Sequence, residues 1–396
     1  MTAPTRYHIP YPVERALENV VDRLGIRPVR VHPVAFPLYV AELSATVITR
    51  EPFDLLDRYV GLAIAECGFG STAEISAYLG VTEHIVGRVL QFLSKIGHVT
   101  ASDGALALTA LGLRAVRDDT RYIPKEDRLK LYFDGVRCAP LPSGYYSRSV
   151  KVMSPDEALA QRRFTLLGHT AEFAASAVEA LARRRDRADY NLPDEHENLA
   201  LRAVDRAFLP CYLIRTRTSA GYGSLLYTAA DSSASDAYLE GITQDWPPLA
   251  EAIQAEDRAK AERWRAELSA WLDERALSMT QLTWTGHDVP RLTLPASHFP
   301  LGDAPAKDRA EFPVRMVGSY ITPETFVVQL WCRDEHTRRE AGLQRALEYV
   351  DAARRDTEDI TRFLAQLSTR LELQTPLAVS DLHAFARRTG RGTLAI

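Results

Sequence analysis

An α+β fold is predicted, and three features of the sequence predict it. Short β-rich runs flanking turn residues recur from about residue 120 onward. Long amphipathic helices lie between them. No strand–glycine loop–helix signature of a parallel, doubly wound sheet accompanies either. With 396 residues the chain has room for two or three domains. The expected division is an N-terminal extension over 1–50, a small helix-rich module over 51–120, a mixed α+β middle region over 121–245 and an α+β C-terminal region over 246–396.

In chain order, the first twenty residues hold no apolar core of signal-peptide length, and no apolar run nears the roughly 18 residues a membrane span needs. A cytoplasmic protein without membrane contact is therefore expected. "RPVRVHPVAFPLYVAEL" alternates like a strand, and Pro33 and Pro37 suit it to a sheet edge or an extended arm. "PFDLLDRYVGLAIAEC" then spaces Phe53, Leu56, Val60 and Ile64 helically, with Pro52 in the first turn. Ser71 or Thr72 is placed to cap a short helix carrying Ile75, Tyr78 and Leu79, which Gly80 ends in a left-handed conformation. Thr82 is the expected cap of "EHIVGRVLQFLSKI", where Val86, Leu90 and Leu93 form one apolar stripe, and Gly97 stops it. "HVTASDGALALT" alternates around Asp103-Gly104, a favoured hairpin turn, and "ALGLRAV" closes the module as a final helix.

Helix, short helix, glycine turn, longer helix and two-stranded wing is the order of the winged helix-turn-helix superfamily. The chain from about Phe53 to Val116 resembles the DNA-binding modules of the MarR and GntR families, on "TAEISAYLGVTEHIVGRVLQFLSKIGHV" and "ALALTALGLRA". The resemblance implies that the second long helix enters a major groove. Mapped onto this sequence, the reading face is Glu83, His84, Gly87, Arg88, Gln91 and Lys95, with Arg88 suited to guanine and Gln91 to adenine. The wing tip, "ASDGA", departs from the family pattern in having no Arg or Lys. Across 51–120 five basic residues (Arg58, Arg88, Lys95, Arg114, Arg117) face nine acidic ones. Because phosphate neutralisation dominates DNA affinity, packing against a protein is the competing expectation for this module.

Further along, "RLKLYF" and "VRCAPLP" flank Asp134-Gly135 and predict a tight hairpin. Looser hairpins are expected around "SAGYG", "GHDVP" and "TPE". Helices are expected in "AEFAASAVEALARRR", in "LAEAIQAEDRAKAERWRAELSAWLDERAL" and in the run from Thr337 to Leu373. "DSSASD" and "GDAPAKDRA" read as loops. The tripeptide Asp-Glu-His, at 194 and again at 334, is expected before a helix each time.

The chemistry is mostly near misses. His196-Glu197 begins a zinc-helix pattern, but position 200 is Ala. "GYGS" is a turn rather than a phosphate loop, and no glycine loop is followed by Lys-Ser/Thr. His287, Asp288 and His298 are left for a site built from distant loops. The four Cys lie scattered, so neither zinc cluster nor disulfide framework is expected. The net charge of −4 gives no global attraction to nucleic acid, so any such site must be local. The densest basic run is Arg183, Arg184, Arg185 and Arg187, read either as a phosphate contact or as a solvated helix end.

The sequence thus predicts a non-catalytic, cofactor-free protein that binds DNA or scaffolds a DNA-linked assembly. It is a regulator, or a subunit of a defence or chromosome-maintenance system, with a protein partner or a second copy as further candidates. The alternative is an enzyme of unrecognised type that uses the winged helix for docking.

Overall fold

A computed structural model describes residues 12–391 apart from 103, 162, 220, 232–233, 245, 262–263, 285–288, 301–309, 324–325 and 353–354. Helix α1 (Val13–Glu18) continues through a π-helical turn at Asn19–Arg23 into strand β1 (Arg27–Pro52). Next come α2 (Leu55–Cys67), α3 (Thr72–Leu79), α4 (Glu83–Lys95), the hairpin β2 (Val99–Ser102) and β3 (Ala105–Leu108), and α5 (Ala110–Asp118). Strand β4 (Thr120–Asp134) leads to α6 (Pro155–Ala160), β5 (Thr165–Leu166), α7 (Ala175–Ala182), β6 (His196–Thr218) and β7 (Gly221–Tyr227). The remainder is α8 (Ala237–Thr243), α9 (Pro247–Ala261), α10 (Trp264–Asp273), β8 (Leu282–Trp284), β9 (Pro290–Leu294), β10 (Tyr320–Ile321), β11 (Val328–Cys332), α11 (Glu335–Asp351), α12 (Thr357–Arg370) and α13 (Val379–Arg388). Helices and largely antiparallel sheets make this an α+β protein. No described helix is long and apolar enough to cross a membrane.

The main sheet runs β4-β1-β6-β7, antiparallel throughout, with β5 beside β1 in parallel. Strand β1 is therefore central, not the edge strand or arm its prolines predicted. The register explains how the prolines fit. Ala35 and Pro37 turn their carbonyls toward Leu167 N–H and Gly135 N–H, away from β6. A strand residue's N–H and C=O point to the same side, so the N–H groups missing at Pro33 and Pro37 face that side too. There β4 has already ended, since its pairing with β1 begins at Leu38↔Asp134. No ladder bond is lost, and the rule that prolines avoid central strands is satisfied locally.

Strand β4 pairs with β1, not with the residues after Asp134-Gly135, so the tight hairpin expected there is absent. The Asp134 carboxylate accepts from the N–H groups of Val136, Arg137 and Ala139 at 2.6–2.9 Å and rolls the chain into a loop. Only the bridge Phe133↔Pro140 remains of the predicted pairing. The hairpins around "SAGYG" and "GHDVP" are formed by β6–β7 and β8–β9, and that around "TPE" by the short β10 with β11. The predicted long helix from residue 249 is divided into α9 and α10, and the helix ahead of the Arg run is confined to α7. Asp334 caps α11, but the earlier Asp-Glu-His enters strand β6 instead of a helix.

The expected boundaries near 120 and 245 also change. Pro52 and Thr120 are cross-strand partners at the last rung of the β1–β4 ladder. Residues 53–119 are thus a head inserted between two strands of one sheet, and 27–52 belong to that sheet rather than to an extension. At 245 the core is continuous. Trp246, Leu249 and Ile253 pack with Leu38, Leu209 and Cys211 on one face of the sheet, while Val289 and Val327 join Leu17, Val31 and Tyr227 on the other.

Candidate functional site

The head has its own core of Val60, Ile64, Ile75, Val86, Leu90, Leu93 and Val99, drawn from α2, α3, α4 and β2. Local signals set its elements. Ser71 and Glu74 form a reciprocal capping box at the start of α3, and the Ser71 hydroxyl holds the Glu74 carboxyl below the usual glutamate range. Gly80 ends α3 at φ +65°. Gly112 lets α5 touch the strand before it, because a Cβ there would sit 2.1 Å from the His98 carbonyl oxygen. Three details differ from expectation. Pro52 closes β1 and Asp54 takes the N-cap position of α2. Thr82 precedes α4 without a side-chain cap bond. Tyr78 is exposed, so only Ile75 of the α3 stripe is fully buried.

On α4, Val86, Leu90 and Leu93 are buried. His84, Arg88, Gln91 and Lys95 are all exposed. Their spacing of four, three and four residues lines them along one face of the helix. None makes a hydrogen bond or ion pair among the described residues. Gly87 lies on the same side, and a Cβ added there would meet nothing within 4 Å. A glycine inside a helix costs roughly 0.5–1 kcal/mol relative to alanine. No contact within the fold accounts for this one. The hairpin β2–β3 stands beside it in the register Val99↔Leu108 to Ser102↔Ala105. Asp103, the acid expected at its tip, lies outside the described residues.

The root of the head is a polar clamp that sequence reasoning missed. Glu195, just before β6, accepts from Arg50 at the end of β1 and from Arg114 on α5 at 2.9 Å. Burial raises its carboxyl, but the two guanidiniums outweigh this and hold it below the glutamate range. Arg114 also lies over the Tyr122 ring at 4.3 Å, and Tyr122 donates its hydroxyl to Asp118. Arg121 on β4 bonds Asp57 of α2 at 2.9 Å and Glu51 at 2.6 Å. Burial pushes the Asp57 carboxyl up, and the Arg121 bond partly offsets it. The buried His98 imidazole lies 2.7 Å from the Tyr122 carbonyl, and desolvation pushes its pKa down. The repeated Asp-Glu-His was the one trace of Glu195 in the sequence, and its role comes from strands 145 residues apart.

The Arg run is mostly committed to its own loop. Arg184 grips Asp186 with two bonds of 2.8 and 2.6 Å and lies over the Tyr190 ring at 4.3 Å. Arg187 donates to the carbonyls of Arg184 and Asp194. Arg183 pairs with Glu179 at 3.3 Å, and only Arg185 is exposed without such a partner. No hydrogen bond or ion pair among the described residues joins this run to the α4 face. His287 and Asp288 lie outside the described residues, and His298 sits in an exposed 3₁₀ turn (Ala296–His298). Among the described residues no three His, Cys, Asp or Glu side chains converge as metal ligands would.

Of the five cations counted over 51–120, Arg58, Arg114 and Arg117 pair with Asp119, Glu195 and Asp118. Arg88 and Lys95 remain. The chain matches no protein-family model, and neither a curated protein nor a solved structure is significantly similar to it.

Proposed function

We propose that this chain is a non-catalytic recognition protein whose winged-helix head reads DNA through the exposed face of α4, with the sheet-centred body as its platform. The observation that carries this reading is the unpartnered row His84, Arg88, Gln91, Lys95 on a helix whose other side is buried. Gly87 at its centre leaves room for close approach of a groove. Arg88 and Gln91 match the two-bond geometries that read guanine and adenine. With Arg88 and Lys95 as the unpaired cations, about two phosphates are neutralised. The log–log salt slope is then near −2, far shallower than for strongly basic DNA binders.

The test is selection of duplex sequences from a randomised pool on the intact chain, followed by salt titration of the enriched site. The expected result is an enriched motif whose affinity falls at least tenfold in Arg88→Ala, with a slope near −2. No enrichment, or an affinity indifferent to Arg88, overturns the reading.

A second reading has its own observation. Leu55, Tyr59, Tyr78, Ile85 and Leu113 of the head are exposed, three of them by more than half (67%, 60% and 54% for Leu55, Tyr78 and Leu113). Exposed apolar groups gathered in one small module suit a protein surface. Replacing Leu113 and Tyr78 by Ser distinguishes the two, since DNA affinity survives in the first reading and a protein complex is lost in the second.

A further inference from the structure

The face of the main sheet away from α1 holds the largest cavity among the described residues. It lies between the β6–β7 hairpin and helices α8 and α9 and encloses about 530 Å³, within the range of small-molecule sites. Its inner wall is apolar, with Leu213, Leu226, Leu249 and Ile253. Trp246 lines it as well. That side chain is 7% exposed, and its indole N–H is buried with no acceptor. A buried donor left unsatisfied costs about 1–3 kcal/mol, and an acceptor supplied from the cavity removes that cost. The mouth is cationic and aromatic. Arg215 lines it, and Arg215 and Arg217 lie over the exposed Tyr222 ring at 5.4 and 5.5 Å. Arg30 stands directly opposite Arg215 in the register. Like charges facing each other across a ladder are unfavourable, and an anion between them relieves the repulsion. Gly241 in α8 faces the same space, and a Cβ there would meet nothing within 4 Å. As with Gly87, packing does not demand this helix glycine.

We infer that this cavity binds a small anionic ligand with an apolar, preferably aromatic, body. The anionic head sits against Arg215 at the mouth. The body lies along the leucine wall, and an acceptor on it takes the Trp246 N–H. The inference stands apart from what the head binds, since no residue of residues 53–119 lines the cavity.

Two probes with the same aromatic body test it on the intact chain, by fluorescence titration: 8-anilinonaphthalene-1-sulfonate, which is anionic, and N-phenyl-1-naphthylamine, which is neutral. Saturable one-to-one binding of the sulfonate is expected. Gly241→Leu, which fills the cavity from a helix position that has the space, abolishes binding of both probes while the melting temperature holds or rises. Arg215→Gln weakens the sulfonate at least tenfold and leaves the amine unchanged, and Arg215→Lys restores the sulfonate. Unsaturable binding, or binding that survives Gly241→Leu, overturns the site. Equal loss of both probes in Arg215→Gln, with the fold intact by circular dichroism, overturns the anionic assignment.

Discussion

In the head, Val60 packs with Leu93 and Val99, so its core is assembled from neighbours in the chain. In the sheet, Phe36 pairs with Leu209 across β1–β6 and sets its ring edge against Trp246 at 6.0 Å. Both cores are apolar and closely packed. They differ in how much chain must be ordered before any contact forms. A locally closed core makes the head a separable cooperative unit, whereas the sheet holds the rest of the molecule together and stands or falls as one.

The comparison breaks first at Leu90. Leu90→Asp places a charge in the head's core and costs about 4 kcal/mol or more. Limited proteolysis is expected to cut within 53–119 while the body retains its melt. A single transition lost everywhere would show that the two regions are one unit. Next is the clamp. Glu195→Ala leaves Arg50 and Arg114 without their shared acceptor and costs about 1–2 kcal/mol. The effect is expected in hydrogen exchange at α5 and at the β1–β4 end of the ribbon, and not in α11–α13.

The third is a pH effect. Burial holds the His98 pKa below its unfolded value, so the unfolded head binds the proton more readily than the folded one. Stability is then fully present above the unfolded value, near pH 6.5, and is lost as pH falls from there through the folded value. His98→Gln is expected to flatten that part of the head's profile while other groups titrate as before. The smallest effect sharpens the contrast most. Gly87→Ala is expected to raise the head's stability by roughly 0.5–1 kcal/mol while weakening partner binding. A gain in both would mean that no partner approaches α4 at that point.

What the sequence disclosed follows the same division. The capping Ser71, the stop at Gly80 and the stripe Val86–Leu90–Leu93 are local devices, and each could be read in a window of a few residues. The α4 face was legible for the same reason, since helical period alone separates Arg88 and Gln91 from the stripe. The sheet was not legible. Pro33 and Pro37 argued against a central strand because nothing nearby shows on which side β4 ends. Asp134-Gly135 carried a hairpin signal, yet the partner of β4 lies on β1, where Leu38 faces Asp134. Glu195, Arg114 and Trp246 come together only through pairings of that range. Their residue types hold no period or spacing to betray them.

The rung that joins Pro52 to Thr120 bears on the order in which the chain folds. Bringing two strand ends together across a disordered segment as long as the head costs about 4 kcal/mol of closure entropy. A head that has already folded supplies both ends side by side. The ribbon β1–β4 can then zip from that rung toward Leu38, and β6, made later, finds a template waiting. The inserted unit therefore serves the body as a nucleus during synthesis. In pulse-labelled refolding its amides, and those next to Pro52 and Thr120, gain protection ahead of the rest of the sheet.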